Sequence, residues 1–353
     1  MEELALYFLY SRNCVPSKEK YFWSTYMAAL PDAEDLNHVL LMSEEEFSLL
    51  KGSIAFGVGQ EIRERAHQTF ALLHAELFQD EDIDALMECT SLSEDSWNWA
   101  MATVLARHMR FVDLSQTSSD GGSFPAIVPY YDFVGHYPTV SAMNGRTAEG
   151  IYHAELEHKE ETEVFRGVAN WCNALLLVRT GLFLATSPFP CATLPTNFFE
   201  QYAPKAGSAE LEERRQEGFE KLREAGMNFV FHVFESTLTE ELLLRAEMVT
   251  MSINDYNSID SDDEDLRDLL SAKVRSRALR WIREAILKHL KTYPSSLEED
   301  TDKLSDVAWT STHSRRAQLA LAAVHQEKHV LQTFCDMLET HIAADGATQH
   351  DEL

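Results

Sequence analysis

The sequence predicts a helix-rich α+β protein, and three observations carry that prediction. Stretches at both ends repeat apolar residues at helical spacing, while a middle stretch switches to short apolar runs broken by turn residues. Prolines at 188, 190 and 195 mark the return to helix. With 353 residues, 45% of them hydrophobic, the chain can bury the cores of two or three domains. The divisions fall at 1–111 (helical), 112–187 (β-containing) and 188–353 (helical).

In the first region, Leu4 to Leu9 begins an apolar helix. Lys18 to Leu30 follows, with Phe22, Trp23, Tyr26 and Met27 on one face, and stops at Leu30-Pro31-Asp32 because proline cannot continue the ladder. Ser43-Glu44-Glu45-Glu46 spells a capping box, and Gly52 ends the helix it opens. Glu61 to Phe78 and Ser93 to Phe111 read as long amphipathic helices. The second is capped by Ser93 and buries Trp99, Ala102, Leu105, Ala106 and Met109. Gly57-Val58-Gly59 reads as a helix start.

Ser115 to Ser123 reads as a loop. Ala126 to Tyr131, Ile151 to Glu155 and Val164 to Gly167 are short enough for strands, and the β-structure is expected to lie before about Ser187. Beyond it the chain is helical apart from Met227 to Phe234, which alternates like a strand. Asp260 to Asp265 reads as a solvated acidic loop. The last helix, Ser314 to His341, sets Leu319, Ala322, Ala323, Val330, Phe334 and Leu338 near one stripe.

A net charge of −28 opposes binding a nucleic-acid backbone, which needs clustered Lys and Arg. It suits a solvated acidic surface or a basic protein partner. The five cysteines are scattered, so they read as reduced packing thiols, and no metal site is implied. No apolar run approaches the ~18 residues of a membrane helix, and Glu2-Glu3 make a poor secretory start, so the expected location is cytoplasmic or nuclear. His350-Asp351-Glu352-Leu353 spells an ER-retrieval signal, which acts only after entry to the ER, and reads as a polar tail.

Several segments carry a more specific signal. Val128-Pro129-Tyr130-Tyr131-Asp132-Phe133-Val134-Gly135-His136 resembles the "VPxxDxxNH" segment of SET-domain protein methyltransferases. Met42 to Ser53 is similar to "WSEEEL..L.GT", Trp99 to Arg107 to "WAxxxVxSR", and Asn173 to Phe183 to "SNAExxxxYGF". Tyr293 to Asp300 and Gln326 to Leu331 are similar to "YPTTLEED" and "xEKxIL". These run colinearly as in the branch typified by the Rubisco large-subunit lysine methyltransferase and the actin-histidine methyltransferase.

The resemblance implies a helical SET insert, partial SET β-structure and a helical C-terminal substrate-binding domain. It implies S-adenosylmethionine as cofactor and a protein substrate, methylated on lysine or histidine. Arg107 would contact the cofactor's carboxylate, Gly135 and His136 the adenine and amino-acid parts, and Leu182 would also bind the cofactor. Asp132 would lie near the substrate nitrogen. Four positions depart from the pattern: Ala106 replaces a serine, Gly135 replaces an asparagine, Thr180 replaces the "YGF" tyrosine, and Arg166 or Val168 stands where the catalytic tyrosine is expected. An arginine cannot align a neutral amine, and its charge repels a sulfonium. The "GxG" segment of the SET first half is not found. Two readings follow: a methyltransferase with weak or lost activity, and a non-catalytic SET-like scaffold or complex subunit.

Overall fold

A computed structural model describes residues 1–14, 20–77, 89, 92–113, 123–129, 131–133, 135–138, 145–148, 151–153, 157–159, 163–168, 171–187, 190–224, 231–258 and 272–348. Residues 115–122, the acidic stretch 260–265 and the C-terminal tetrapeptide lie outside these, as do the side chains of Phe22 and Trp23. Two compact units form. One holds 1–50, 55–188 and 308–323, and the other holds 51–54, 189–307 and 324–353.

In the first unit, α1 (Glu2–Asn13), α2 (Lys20–Ala29), α3 (Glu44–Ser48), α4 (Ile54–Leu77) and α5 (Glu94–Arg107) come first. The capping box forms as spelled: Glu46 N donates to Ser43 Oγ at 3.2 Å, and Ser43 N to Glu46 Oε2 at 2.6 Å. Phe8, Leu9, Tyr26, Met27, Trp97 and Trp99 share one core. Each buried indole N–H finds a carbonyl, Trp97 on Ala66 (2.9 Å) and Trp99 on Pro31 (3.0 Å), so neither ring leaves an unsatisfied donor. Gly57 and Gly59 lie inside α4, which starts at Ile54, seven residues before the expected Glu61.

Two expectations fail here. The helix after Ser93 ends at Arg107, because Met109–Asp113 forms strand β1. Its Phe and Val gain ladders on both sides, antiparallel to β2 (Ser123–Ala126) and parallel to β4 (Gly145–Ala148), and that pairing outweighs a continued helical pattern. Nor are the cysteines all reduced, since Cys14 and Cys89 are joined in a disulfide. A pairing 75 residues apart leaves no spacing signature.

In this unit the described strands make two small sheets. β5 (Ile151–His153) completes the order β2-β1-β4-β5, while β3 (Gly135–Pro138), β6 (Glu157–Lys159) and β7 (Glu163–Val168) lie in the order β3-β7-β6. Pro125 and Pro138 sit on edge strands, the part of a sheet that tolerates proline. Helix α6 (Asn173–Thr180) follows and ends on Gly181 at φ 74°, a left-handed cap that glycine adopts without strain.

The second unit contains β8 (Cys191–Leu194), α7 (Phe198–Tyr202), α8 (Ala209–Glu224), β9 (Phe231–Phe234), α9 (Glu240–Thr250), α10 (Ile253–Ser258), α11 (Ala272–Leu290) and α12 (Leu297–Ser305). α13 (Val307–Thr312) and α14 (Arg315–Thr348) supply residues to both units. The strand expected near Phe231 is present, and its partner β8 lies beyond the expected limit at Ser187. Four buried residues between prolines gave no alternation to read. Phe198, Phe199, Trp281, Ile282, Val330 and Phe334 belong to the core.

Three sequence motifs meet in this unit. Ser296 and Glu299 form the capping box that opens α12. One turn in, the buried Asp300 accepts from Lys328 Nζ (2.6 Å) and Ser295 Oγ (2.6 Å). Lys328 Nζ also donates to Ser295 O (2.7 Å) and Ser295 Oγ (3.1 Å), and lies 5.1 Å over the Tyr293 ring. Gly52, at φ 94°, packs against Tyr293 so closely that a Cβ would come within 2.8 Å of its Cα. Glu327, beside Lys328, is buried. Burial pushes its carboxyl up to about 7, although Ser53, Tyr293, the Thr193 backbone and Lys328 partly hold it down. Among the described residues no helix is long and apolar enough to cross a membrane.

Candidate functional site

The segment that begins at Val128 closes on itself before it reaches the sheet. Asp132 N donates to Val128 O at 3.2 Å, and Tyr131–Phe133 forms one 3₁₀ turn. That turn carries the Asp132 side chain inward, with none of it exposed. Arg107, the last residue of α5, reaches it: Nη1 donates to Asp132 Oδ2 at 3.0 Å and to the Asp132 carbonyl at 3.3 Å. From α2, the fully buried Tyr26 donates its hydroxyl to the same Oδ2 at 2.7 Å. Phe133 covers the group, its ring centroid 4.9 Å from the guanidinium carbon and 5.6 Å from the Tyr26 ring.

Desolvating an ion pair costs several kcal/mol per ion unless the remaining polar atoms are also paired. Here the pairing is incomplete. Asp132 Oδ1 and Arg107 Nε are buried and find no hydrogen-bond partner among the described residues. The cluster therefore keeps one acceptor and one donor in reserve, and the Arg107 side chain remains 15% exposed.

Two further predicted positions are brought together by the sheet. β3 and β7 run parallel in the register Gly135↔Phe165 and His136↔Arg166, so Arg166 is the direct cross-strand neighbour of His136. Gly135 opens strand β3. Leu182 stands at the end of α6, where its amide donates to Thr180 Oγ1 at 3.3 Å. No hydrogen bond joins it to Arg107 or Asp132 among the described residues.

The loop around Leu182 is held from two sides. Asn173 pairs its amide with Leu184, donating to its carbonyl and accepting from its N–H, both at 2.9 Å. His38 lies 3.3 Å from the Arg179 carbonyl through Nε2, and its Nδ1 accepts from Leu40 N at 3.3 Å. Burial pushes the His38 imidazole down to about 4, against a smaller opposing effect of the Arg179 carbonyl, so it is neutral near pH 7. A Cβ on Gly181 would meet His38 N at 3.1 Å. Tyr26, His38 and Asn173 are the residues that sequence reasoning missed as site builders. Tyr26 had only an apolar-face signal, Asn173 sat unassigned inside a quoted segment, and His38 had no signal.

The fold has counterparts among known proteins. Residues 208–331 match the Rubisco LSMT substrate-binding family. The whole chain has the fold of SET-domain structures of that enzyme. It is similar to the SET domain of LSMT bound to methyllysine and AdoHcy, with a TM-score of 0.63 and 19% identity, over 98% of this chain and 76% of that one. Rubisco LSMT bound to AdoMet matches with the same values, and Rubisco LSMT bound to sinefungin and monomethyllysine matches at 0.63 and 19% over 97% and 75%. A search of curated protein sequences finds no match.

Proposed function

We propose that this protein is a SET-type protein N-methyltransferase relative that binds S-adenosylmethionine and, through its helical C-terminal domain, a protein substrate, with weak or no methyl transfer. The carrying observation is the half-satisfied Arg107–Asp132 pair. A cofactor carboxylate and an amine at the methyl-transfer position offer what the pair lacks, since the carboxylate accepts from a guanidinium N–H and the amine donates to the free Oδ1. Arg107 would hold the cofactor's carboxylate, as expected from its motif, with Gly135, His136 and Leu182 around the rest. The bound cofactor supplies an electrophilic methyl group. The residues fit its binding better than its reaction, because Arg166 lies beside His136 where a neutral phenol is expected.

The second reading, a non-catalytic SET-like scaffold or complex subunit, rests on that same Arg166. Calorimetry with S-adenosylmethionine separates the two. Micromolar affinity supports the cofactor site, and the absence of heat at millimolar ligand removes it and leaves the scaffold. Methyl transfer to a lysine or histidine peptide pool then reads residual activity, and Arg166→Tyr should raise it.

A further inference from the structure

We infer that Tyr26 is a positioning residue: its hydroxyl grips Asp132 by one carboxylate oxygen so that the other is presented to an N–H of the bound ligand or substrate. The inference rests on the methyltransferase reading and assigns a task to a residue outside every motif that led to it.

Both donors in the cluster arrive at one oxygen. Tyr26 Oη lies 2.7 Å and Arg107 Nη1 3.0 Å from Asp132 Oδ2, and Oδ1 receives nothing. Arg107 alone cannot select the oxygen, because the same Nη1 is shared with the Asp132 carbonyl at 3.3 Å and a guanidinium pairs equally well with either carboxylate oxygen. The phenol does select. Its ring is fully buried, set edge-on to Phe8 at 6.3 Å and against Phe133 at 5.6 Å, so the hydroxyl comes to a fixed point. A neutral donor also orients the carboxylate without adding a second cation beside it, which keeps the pair's charge balanced. Oδ1 is left buried and unpaired, an acceptor that gains most from a ligand able to donate.

Two cofactor analogues read this directly. Sinefungin carries an amine where the methylated sulfur of S-adenosylmethionine would be, and AdoHcy carries no donor there. Wild-type protein is expected to bind sinefungin more tightly than AdoHcy in calorimetry. Tyr26→Phe, which removes a single oxygen atom, should cut that preference by about tenfold while leaving AdoHcy affinity within about threefold. Asp132→Asn should cut it similarly, an independent measurement if either variant folds poorly by thermal melting. Equal losses for both ligands would mean that Tyr26 merely supports the fold, and would overturn the inference while leaving the cofactor site standing. Binding of neither ligand to the wild type overturns the methyltransferase reading and this inference with it.

Discussion

Two buried ion pairs in this protein have opposite character. In the C-terminal unit, Lys328 spends its ammonium on three acceptor contacts, and Asp300 receives a donor on each oxygen. In the SET-like unit, Arg107 and Asp132 meet with a nitrogen and an oxygen left over. A saturated pair has nothing to offer a ligand and can only hold the fold. An unsaturated one carries a standing cost that a ligand can relieve. The contrast teaches where to look for function: in the pair that the fold itself does not complete, rather than in the most deeply buried one. Glu327, next to Lys328, shows a third outcome, in which burial pushes a carboxyl up to about 7.

Breaking the saturated pair should have the largest effect. Lys328→Met leaves Asp300 charged, buried and short of a donor, and should cost about 3–5 kcal/mol in urea unfolding. The double variant Lys328→Met/Asp300→Leu should recover much of that loss, since both charges leave together. Glu327→Gln comes next, with a sign set by pH. The folded Glu327 titrates at about 7, above its ordinary 4.5, so the stability linked to its proton is complete below pH 4.5 and is lost as the pH rises through about 7. The glutamine variant should therefore be more stable than wild type at pH 8 by about 3 kcal/mol, with a flatter profile of stability against pH.

On the unsaturated side the losses should be smaller. Tyr26→Phe removes one hydrogen bond to a charged, buried oxygen and should cost about 1.5–3 kcal/mol in the same unfolding assay. A loss as large as that of Lys328→Met would erase the distinction between the two pairs. Ser296→Ala tests the frame rather than the charges. It deletes the cap of α12, whose Oγ accepts from Glu299 N at 3.1 Å, and should cost about 1 kcal/mol.

Much of the local structure was legible in the residues. The capping box at Ser43 declares itself within four positions, as does the proline stop after Leu30. The Tyr293–Asp300 segment was legible as a signature but not as a clamp. A lone lysine ordinarily stays in water, so nothing at position 328 announced a side chain only 2% exposed. Strand β1 was hidden inside a helical pattern, because the two strands that pair with it lie at 123–126 and 145–148.

The site divides in the same way. Arg107, Asp132 and His136 could be named from motifs, and their chemistry could be stated before any fold was known. The sequence by itself determined the helix caps, the order of the motifs and the departures at Gly135, Arg166 and Thr180, because each of these is a property of adjacent residues. Only the tertiary structure decided that Arg107 binds Asp132, that Arg166 lies opposite His136, and that Tyr26 completes the group from 106 residues away. The physical reason is range. Caps, turns and helical faces are settled by neighbours in the chain. The pairing of a buried charge depends on which distant donors the folded core brings to it.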